Sequence, residues 1–378
     1  MTSTHLVTGA TGFVGSALVL ELLSRTKDQI VCIVRPGQVD AATRLQSALL
    51  SAAESYGLLE RLRRDIFERC RAVAGDVEQP DCGVASPEQL TCDQFWHSAA
   101  SLRFEDRYAA EITRVNVQGT AHALDLAAKV GASQFHYIST AYVAGSDEGP
   151  ILEQKSSSVR RNNYYEISKA QAEELVEADT RFGRRIFRPS IVIGHSRTLG
   201  ATNFTGMYGF LRKLEVFHGL MQRTQAGLMQ RKALRLRLDV GAQLDLVPID
   251  RVVENAVTIA LSGRLSAGEL AYFHLTNPHA PIMEQVIATM FDVVGLAAPV
   301  FASDKSEFDW IDDKFNERID FYRSYLIGHK VFDRSQVARI VGDEPRKPYE
   351  LPNHIVEQHC RWYLDRLKQE RAGLPATR

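Results

Sequence analysis

Cysteine is sparse in this chain of 378 residues: Cys32, Cys70, Cys82, Cys92 and Cys360 are odd in number and scattered, with no Cys-x-x-Cys pair. That pattern excludes a disulfide framework and makes a reducing, cytoplasmic setting the expectation. The eleven histidines form no His-Glu-x-x-His or similar cluster, so no structural metal is expected. No stretch approaches the roughly 18 uninterrupted apolar residues of a membrane span. The opening Met1-Thr-Ser-Thr-His5 lacks the basic leader of a signal peptide, and Gly9, Gly12 and Gly15 interrupt what would be its apolar region. Neither sign of charge is in excess. The 45 Lys and Arg face 46 Asp and Glu, which removes the global basic surplus of a sequence-independent nucleic-acid binder.

Apolar bulk is plentiful, at 45% of residues. A globular chain of this length buries roughly three quarters of the surface its unfolded form exposes, so it needs no metal or disulfide to hold together. Short β-type runs alternate with helical patterns through the first two thirds, the signature of βαβ units around a parallel sheet. His5–Thr8, Ile30–Val34, Arg71–Ala74, Gln94–His97, Phe135–Ile138 and Arg185–Arg188 read as strands, and 13–25, 40–54, 106–129 and 163–181 as helices. The predicted fold class is α/β, a Rossmann-type doubly wound parallel sheet. From about Gly194 the rhythm changes to a glycine-spaced loop, a basic amphipathic stretch, a helix opening at Leu246-Val-Pro-Ile-Asp250 and a strand at Tyr272–Thr276. We expect a dinucleotide-binding domain over 1–194, continued by about 240–265. A smaller, mostly helical C-terminal substrate lobe is expected from 195–240 and 265–370, with a frayed tail at 371–378.

The first strand runs into Thr8-Gly9-Ala-Thr11-Gly12-Phe13-Val14-Gly15 and then an apolar helix. Glycine is wanted there for a tight turn, for close approach of backbone to a pyrophosphate, and for close helix-to-strand packing. Glycines also make plain turns, but the position between a first strand and a first helix favours dinucleotide binding. The second strand ends Ile33-Val-Arg35-Pro36, with Arg44 nine residues on. An acid at that end commonly binds an NAD ribose, whereas an Arg accommodates a 2′-phosphate, so NADPH is the expected cofactor. The alternative is that Arg35 and Arg44 are ordinary solvated charges.

In Asn163-Tyr-Tyr165-Glu-Ile-Ser-Lys169 the Tyr and Lys stand four apart on a predicted helix and share a face. A tyrosine hydroxyl titrates near pH 10 in water; a neighbouring ammonium together with an oxidised nicotinamide favours the phenolate and brings it toward the operating pH. Tyr165 then exchanges a proton with a substrate oxygen. The strand before it delivers Ser139-Thr140 at its C-terminal end, where parallel α/β sheets place their ligands. Alone, Tyr-x-x-x-Lys is common by chance. Its combination with the glycine turn and the Ser-Thr strand end makes catalysis the better reading.

That order of motifs resembles the extended branch of the short-chain dehydrogenase/reductases. Val73-Ala-Gly-Asp76-Val77, His97-Ser98-Ala99-Ala100, Asn116-Val-Gln-Gly-Thr120, Ile138-Ser-Thr-Ala-Tyr-Val143, Asn163–Lys169 and Arg188-Pro189-Ser190-Ile191-Val-Ile-Gly194 narrow the resemblance further. They are similar to thioester reductase domains of carboxylic acid reductases and of nonribosomal peptide and polyketide synthases, with fatty acyl-CoA reductases as neighbours. The likeness runs from about residue 4 to Leu275-Thr-Asn-Pro278 and is weak beyond 280. By position the resemblance implies Thr140 as the catalytic hydroxyl, Tyr165 as the acid, and Lys169 as the residue that tunes Tyr165 and holds the nicotinamide ribose. It implies Gly9, Thr11, Gly12, Phe13, Val14 and Gly15 at the pyrophosphate turn, and Arg35 and Arg44 at the 2′-phosphate. Asp76 and Val77 would form the adenine pocket, with Ser98, Ala99, Ala100, Pro189, Ser190 and Ile191 along the cofactor. For Asp76, His97 and Asn116 a purely structural role, as strand-end caps or buried hydrogen-bonding groups, stays open.

The resemblance implies reduction of an acyl thioester, carrier-protein- or CoA-bound, to an aldehyde and on to an alcohol if a second hydride follows. The rival readings are a sugar-nucleotide epimerase or dehydratase, or another extended-type dehydrogenase or ketoreductase acting on a hydroxyl or carbonyl; these usually favour NAD. Two departures matter. The chain starts at the first strand with no space for adenylation or carrier domains, so the acyl donor is expected to come from another molecule. Leu199 is an extra residue in Gly194-His-Ser-Arg-Thr-Leu-Gly200, so the loop over the substrate is expected to differ. Between 211 and 238, Arg212, Lys213, Arg223, Arg231, Lys232, Arg235 and Arg237 stand against the single acid Glu215. This basic stretch suits an acidic acyl carrier protein or the phosphates of CoA; a solvated helix face is the alternative. Leu220, Met221, Leu228 and Met229 in the same stretch read as core rather than acyl channel.

Overall fold

A computed structural model describes residues 2–224, 232–302, 304–342 and 350–372. The tail from 373, Leu228, Met229 and Arg231 lie outside the described residues. In chain order the strands are β1 Thr4–Thr8, β2 Gln29–Val34, β3 Cys70–Ala74, β4 Gln94–His97, β5 Gln134–Ile138, β6 Gly149–Ile151 and β7 Gly183–Pro189. They continue with β8 Ile191–Ile193, β9 Arg235–Arg237, β10 Leu246–Pro248, β11 Leu270–Leu275, β12 Val300–Ala302 and β13 Lys330–Phe332.

Seven strands form one sheet in the order β11-β7-β5-β4-β1-β2-β3, and every pair in it is parallel. From β1 the chain winds outward through β2 and β3, then returns to place β4 on the other side of β1. That reversal opens a crevice beyond the C-terminal ends of β1 and β4, where doubly wound sheets bind ligands. Both faces of the sheet are covered, so its apolar residues and the polar ones among them, such as His136 and Arg185, are buried alike. Val7, Cys32 and Trp96 pack under the helices Phe13–Arg25, Ala41–Ser55, Leu59–Arg69 and Ile249–Leu261. Leu6, Val31 and Phe95 face Gly119–Lys129 and Tyr164–Ala178. The doubly wound α/β expectation is met.

A second apolar core lies outside the sheet. Met207, Phe217, Met290, Phe291, Phe315 and Tyr363 build it from the helices Met207–Thr224, Met283–Val294, Trp310–Ile319 and Asn353–Arg371. Among the described residues no helix is long and apolar enough to cross a membrane.

Several local expectations are corrected. The helix Leu59–Arg69 is absent from the sequence reading; it is mostly charged, and only Leu62, Ile66 and Arg69 reach the interior. Arg69 is usable there because its guanidinium donates to the carbonyls of Leu23, Thr26 and Asp28. The stretch 106–129 is not one helix but a 3-10 turn, a short α segment, a π-helical turn at Thr113–Gln118 and the helix Gly119–Lys129. Leu246–Pro248 is a strand paired with β8, and the helix begins only at Ile249. The strand expected inside the second lobe, β11, instead closes the edge of the main sheet against β7. The basic stretch is not a single helix face. Its described residues fall on the helix Met207–Thr224 and on and around β9, which pairs with β12. There Lys232 pairs with Asp309 at 2.5 Å and Arg235 with Asp312 at 3.4 Å.

Candidate active site

The turn after β1 is shaped by its glycines. Gly9 is left-handed (φ +75°), and a Cβ on it would stand 2.6 Å from the Ala99 nitrogen. A Cβ on Gly15 would stand 2.1 Å from the Gly9 carbonyl oxygen, so the turn closes only without side chains. Gly12 caps the helix that starts at Phe13 and offers no side chain to its first-turn N–H groups. Those donors and the positive end of the helix dipole are open to an anion, which suits a pyrophosphate. The residues present therefore fit a dinucleotide.

At the end of β2, Arg35 is 59% exposed, and its guanidinium lies 3.7 Å from Glu78 and 3.9 Å from Asp76. Arg44 donates to the Arg35 carbonyl at 2.6 Å, which brings the second guanidinium to the same strand end. Asp76 turns its other oxygen to the Glu78 N–H at 3.1 Å. The Val77 carbonyl contacts His122 Nδ1 at 2.8 Å.

One cavity of about 340 Å³ begins at this turn and ends in the second lobe. Gly9, Gly12, Phe13, Val14, Gly15, Ser98, Ala100, Thr140, Tyr165, Lys169, Pro189, Ser190 and Ile191 all line it. Thr11 and Ala99 are not among its lining residues; the Ala99 N–H donates to Thr8 Oγ1 at 3.4 Å. Thr140 caps the 3-10 turn Ala141–Ala144, with its Oγ1 accepting from the Tyr142 N–H at 3.2 Å. Asn163 caps the helix Tyr164–Ala178 through the Glu166 N–H at 2.9 Å, fixing the first turn that carries Tyr165. Ser190, also in the cavity wall, donates its hydroxyl to the buried Asp245 at 2.5 Å.

Burial dominates the electrostatics. It pushes the Tyr165 hydroxyl above its ordinary value, and the adjacent Glu166 carboxylate adds to that. Burial pushes the Lys169 ammonium down to about 7, with Glu173 partly opposing. Lys169 Nζ donates to the Ile138 carbonyl at 2.6 Å and lies 4.4 Å above the Tyr137 ring. The protein by itself therefore holds Tyr165 as a protonated acid; the expected shift toward phenolate is not supplied by Lys169 alone.

Two polar residues left open by the sequence have structural roles. His97 bridges Thr8 Oγ1 at 2.7 Å and Thr120 Oγ1 at 3.1 Å, and burial lowers its pKa to about 3, so it stays neutral. Asn116 fastens the loop after β4: it accepts from the Ser101 N–H at 2.7 Å and donates to Ser168 Oγ at 2.9 Å. The Leu199 loop does not cover the cavity. Leu199 takes φ +62°, and its neighbour Thr198 donates to the Ser55 carbonyl, which fastens the loop to the helix Ala41–Ser55.

Residues 7–256 match the male sterility protein family, which carries an NAD-binding domain. The chain belongs to this family. Within it the chain is similar to a linear gramicidin synthase of Brevibacillus parabrevis, 28% identical over 75% of this chain and 5% of that protein. It is similar to human fatty acyl-CoA reductase 2, 28% identical over 66% of this chain and 52% of that protein. Glycine betaine reductase ATRR of Emericella nidulans is 31% identical over 96% of this chain and 29% of that protein. The chain thus spans about half, or far less, of the length of these relatives. Among solved structures, the terminal R domain of the myxalamid PKS-NRPS pathway superposes with a TM-score of 0.74 at 26% identity, covering 100% of this chain and 93% of that one. The expected likeness to extended short-chain reductases of the thioester reductase kind is met.

This family member also brings residues to the cavity that the motifs did not reveal. Phe104 meets the Tyr165 ring edge-on, centroids 5.4 Å apart. Met207, Phe210, Leu244, Ile287, Met290, Tyr322, Tyr325 and Leu326 form its apolar end. The one signal in the sequence is Phe104 itself, a lone aromatic in the small-residue loop after β4. The second-lobe residues leave none, because their 3.6-residue spacing is that of ordinary core.

Proposed function

We propose that the protein is an NADPH-dependent reductase of an acyl thioester, carrier-protein- or CoA-bound, releasing an aldehyde and a thiol. The observation that carries this reading is the single cavity that joins the glycine turn to Thr140, Tyr165 and Lys169 and continues into an apolar end from the second lobe. A reduced nicotinamide, when bound, supplies the hydride. Thr140 and Tyr165 hydrogen-bond the carbonyl oxygen and stabilise the negative charge that develops on it. Tyr165, resting protonated, gives that oxygen its proton. The hemithioacetal so formed expels the thiol. Lys169 holds the ribose and keeps a positive charge near the Tyr165 oxygen. The apolar end takes the acyl chain. Arg35 and Arg44 at the end of β2 support a 2′-phosphate and hence NADPH.

The test is cofactor oxidation against acyl-CoA, acyl-carrier, aldehyde and nucleotide-sugar panels, with Tyr165→Phe as the blank. Thioester turnover that Tyr165→Phe lowers by about 10²-fold or more is the expected result. Turnover of nucleotide sugars alone would overturn the assignment.

A further inference from the structure

The segment Asp320–Leu326, beyond the last recognisable motif, sends Tyr325 into the catalytic cavity. Its ring meets Tyr142 edge-on, with centroids 4.7 Å apart and planes at 72°. Tyr142 lies in the turn that Thr140 caps, and its N–H is the group Thr140 Oγ1 accepts. The Tyr325 hydroxyl reaches the other catalytic segment. It accepts from Asn163 Nδ2 at 3.4 Å and hydrogen-bonds the Glu166 carboxylate. Asn163 and Glu166 also bind each other, side chain to side chain at 3.2 Å, and Asn162 adds two donors to Glu166 at 2.9 and 3.0 Å. Glu166 is fully buried, so its oxygens need these donors. One tyrosine of the second lobe therefore contacts the Thr140 turn with its ring and the start of the Tyr165 helix with its hydroxyl.

We propose that Tyr325 is a positioning residue for Tyr165 and Thr140, tying the substrate lobe to both catalytic segments through Tyr142 on one side and the Asn163/Glu166 network on the other. The proposal rests on reading Tyr165 as the proton donor. A hydroxyl and a carbonyl oxygen must meet within hydrogen-bond reach, and a misplacement of about 1 Å costs up to about 10²-fold in rate. Asn163 caps the helix start from within its own segment; the Tyr325 hydroxyl adds the tie from that capped start to the second lobe.

Tyr325→Phe keeps the ring and deletes only the hydroxyl. We expect kcat to fall about 10-fold, with KM for the acyl substrate and NADPH binding by nucleotide fluorescence changed less than twofold. In the Glu166→Gln background the same change should cost less than threefold, because the network it works through is already altered. Amide hydrogen exchange of the 162–168 segment should quicken in Tyr325→Phe while that of the 119–129 helix stays as in the parent. The proposal is overturned by a kcat within twofold of the parent, by losses that multiply independently in the double variant, or by unchanged exchange at 162–168. Exchange is read without substrate, so a failure of the thioester assignment is seen separately, in a parent enzyme that turns over no thioester.

Discussion

Lys169 is the residue whose environment has the clearest consequence. A buried ammonium pushed down to about 7 loses its proton as pH rises through that value, and the positive charge one helical turn beyond Tyr165 goes with it. kcat/KM, which reports the free enzyme, should therefore fall on the alkaline side with an apparent pKa near 7, and Lys169→Arg should move that limb up by more than one unit. A flat profile between pH 6 and 9 would contradict this. The same shift acts on stability. The unfolded chain binds the proton more tightly than the folded one, so the penalty for burying Lys169 is full below pH 7 and declines as pH rises toward the unfolded value. Arg35 is the second such residue. Arg35→Ala should raise KM for NADPH at least tenfold while changing that for NADH less than twofold; equal changes would mean that its guanidinium is solvated surface charge.

Among the elements, the caps decide how exactly the catalytic groups are held. Asn163 satisfies the Glu166 N–H at the start of the Tyr165 helix, and Asp309 does the equivalent for the helix Trp310–Ile319 through the N–H groups of Ile311 and Asp312. Loss of either cap should cost about 1 kcal/mol in urea unfolding. Only Asn163→Ala should also lower kcat; Asp309→Ala, whose helix carries no proposed catalytic group, should leave it within twofold. The elements themselves are largely legible in the sequence. The ends of β4 and of the helix Phe13–Arg25 fall where apolar spacing puts them. The helix Leu59–Arg69 is hidden because its interior side chains are outnumbered by charges, and β11 is misplaced because a strand's pattern does not say which sheet it joins.

For the whole molecule, the question is what the basic stretch is free to do. Lys232 and Arg235 are already bound to Asp309 and Asp312, so reversing Lys232 to Glu should lower stability and slow every substrate alike. Arg223 stands exposed near the end of its helix. Arg223→Glu should slow a carrier-bound thioester several-fold and spare a small free aldehyde, as expected of a charge that steers an acidic partner. Equal losses on both substrates would show that the stretch serves the fold alone.

The parallel sheet, the glycine turn and the placing of Tyr165 and Lys169 on one helix face can be read from the chain alone, because each rests on local spacing: strand period, turn glycines, four residues along a helix; the choice of Thr140 within the Ser139-Thr140 strand end comes from the resemblance. It takes the folded molecule to show which charges are spent inside the second lobe, that the Leu199 loop is fastened to the helix Ala41–Ser55 through Thr198, and that Tyr322, Tyr325 and Met290 line the cavity's far end. Those outcomes depend on contacts between segments more than seventy residues apart, whose partners no local pattern names. Burial, too, is a property of the assembled cavity, and it is burial that holds Tyr165 protonated and brings Lys169 near neutrality.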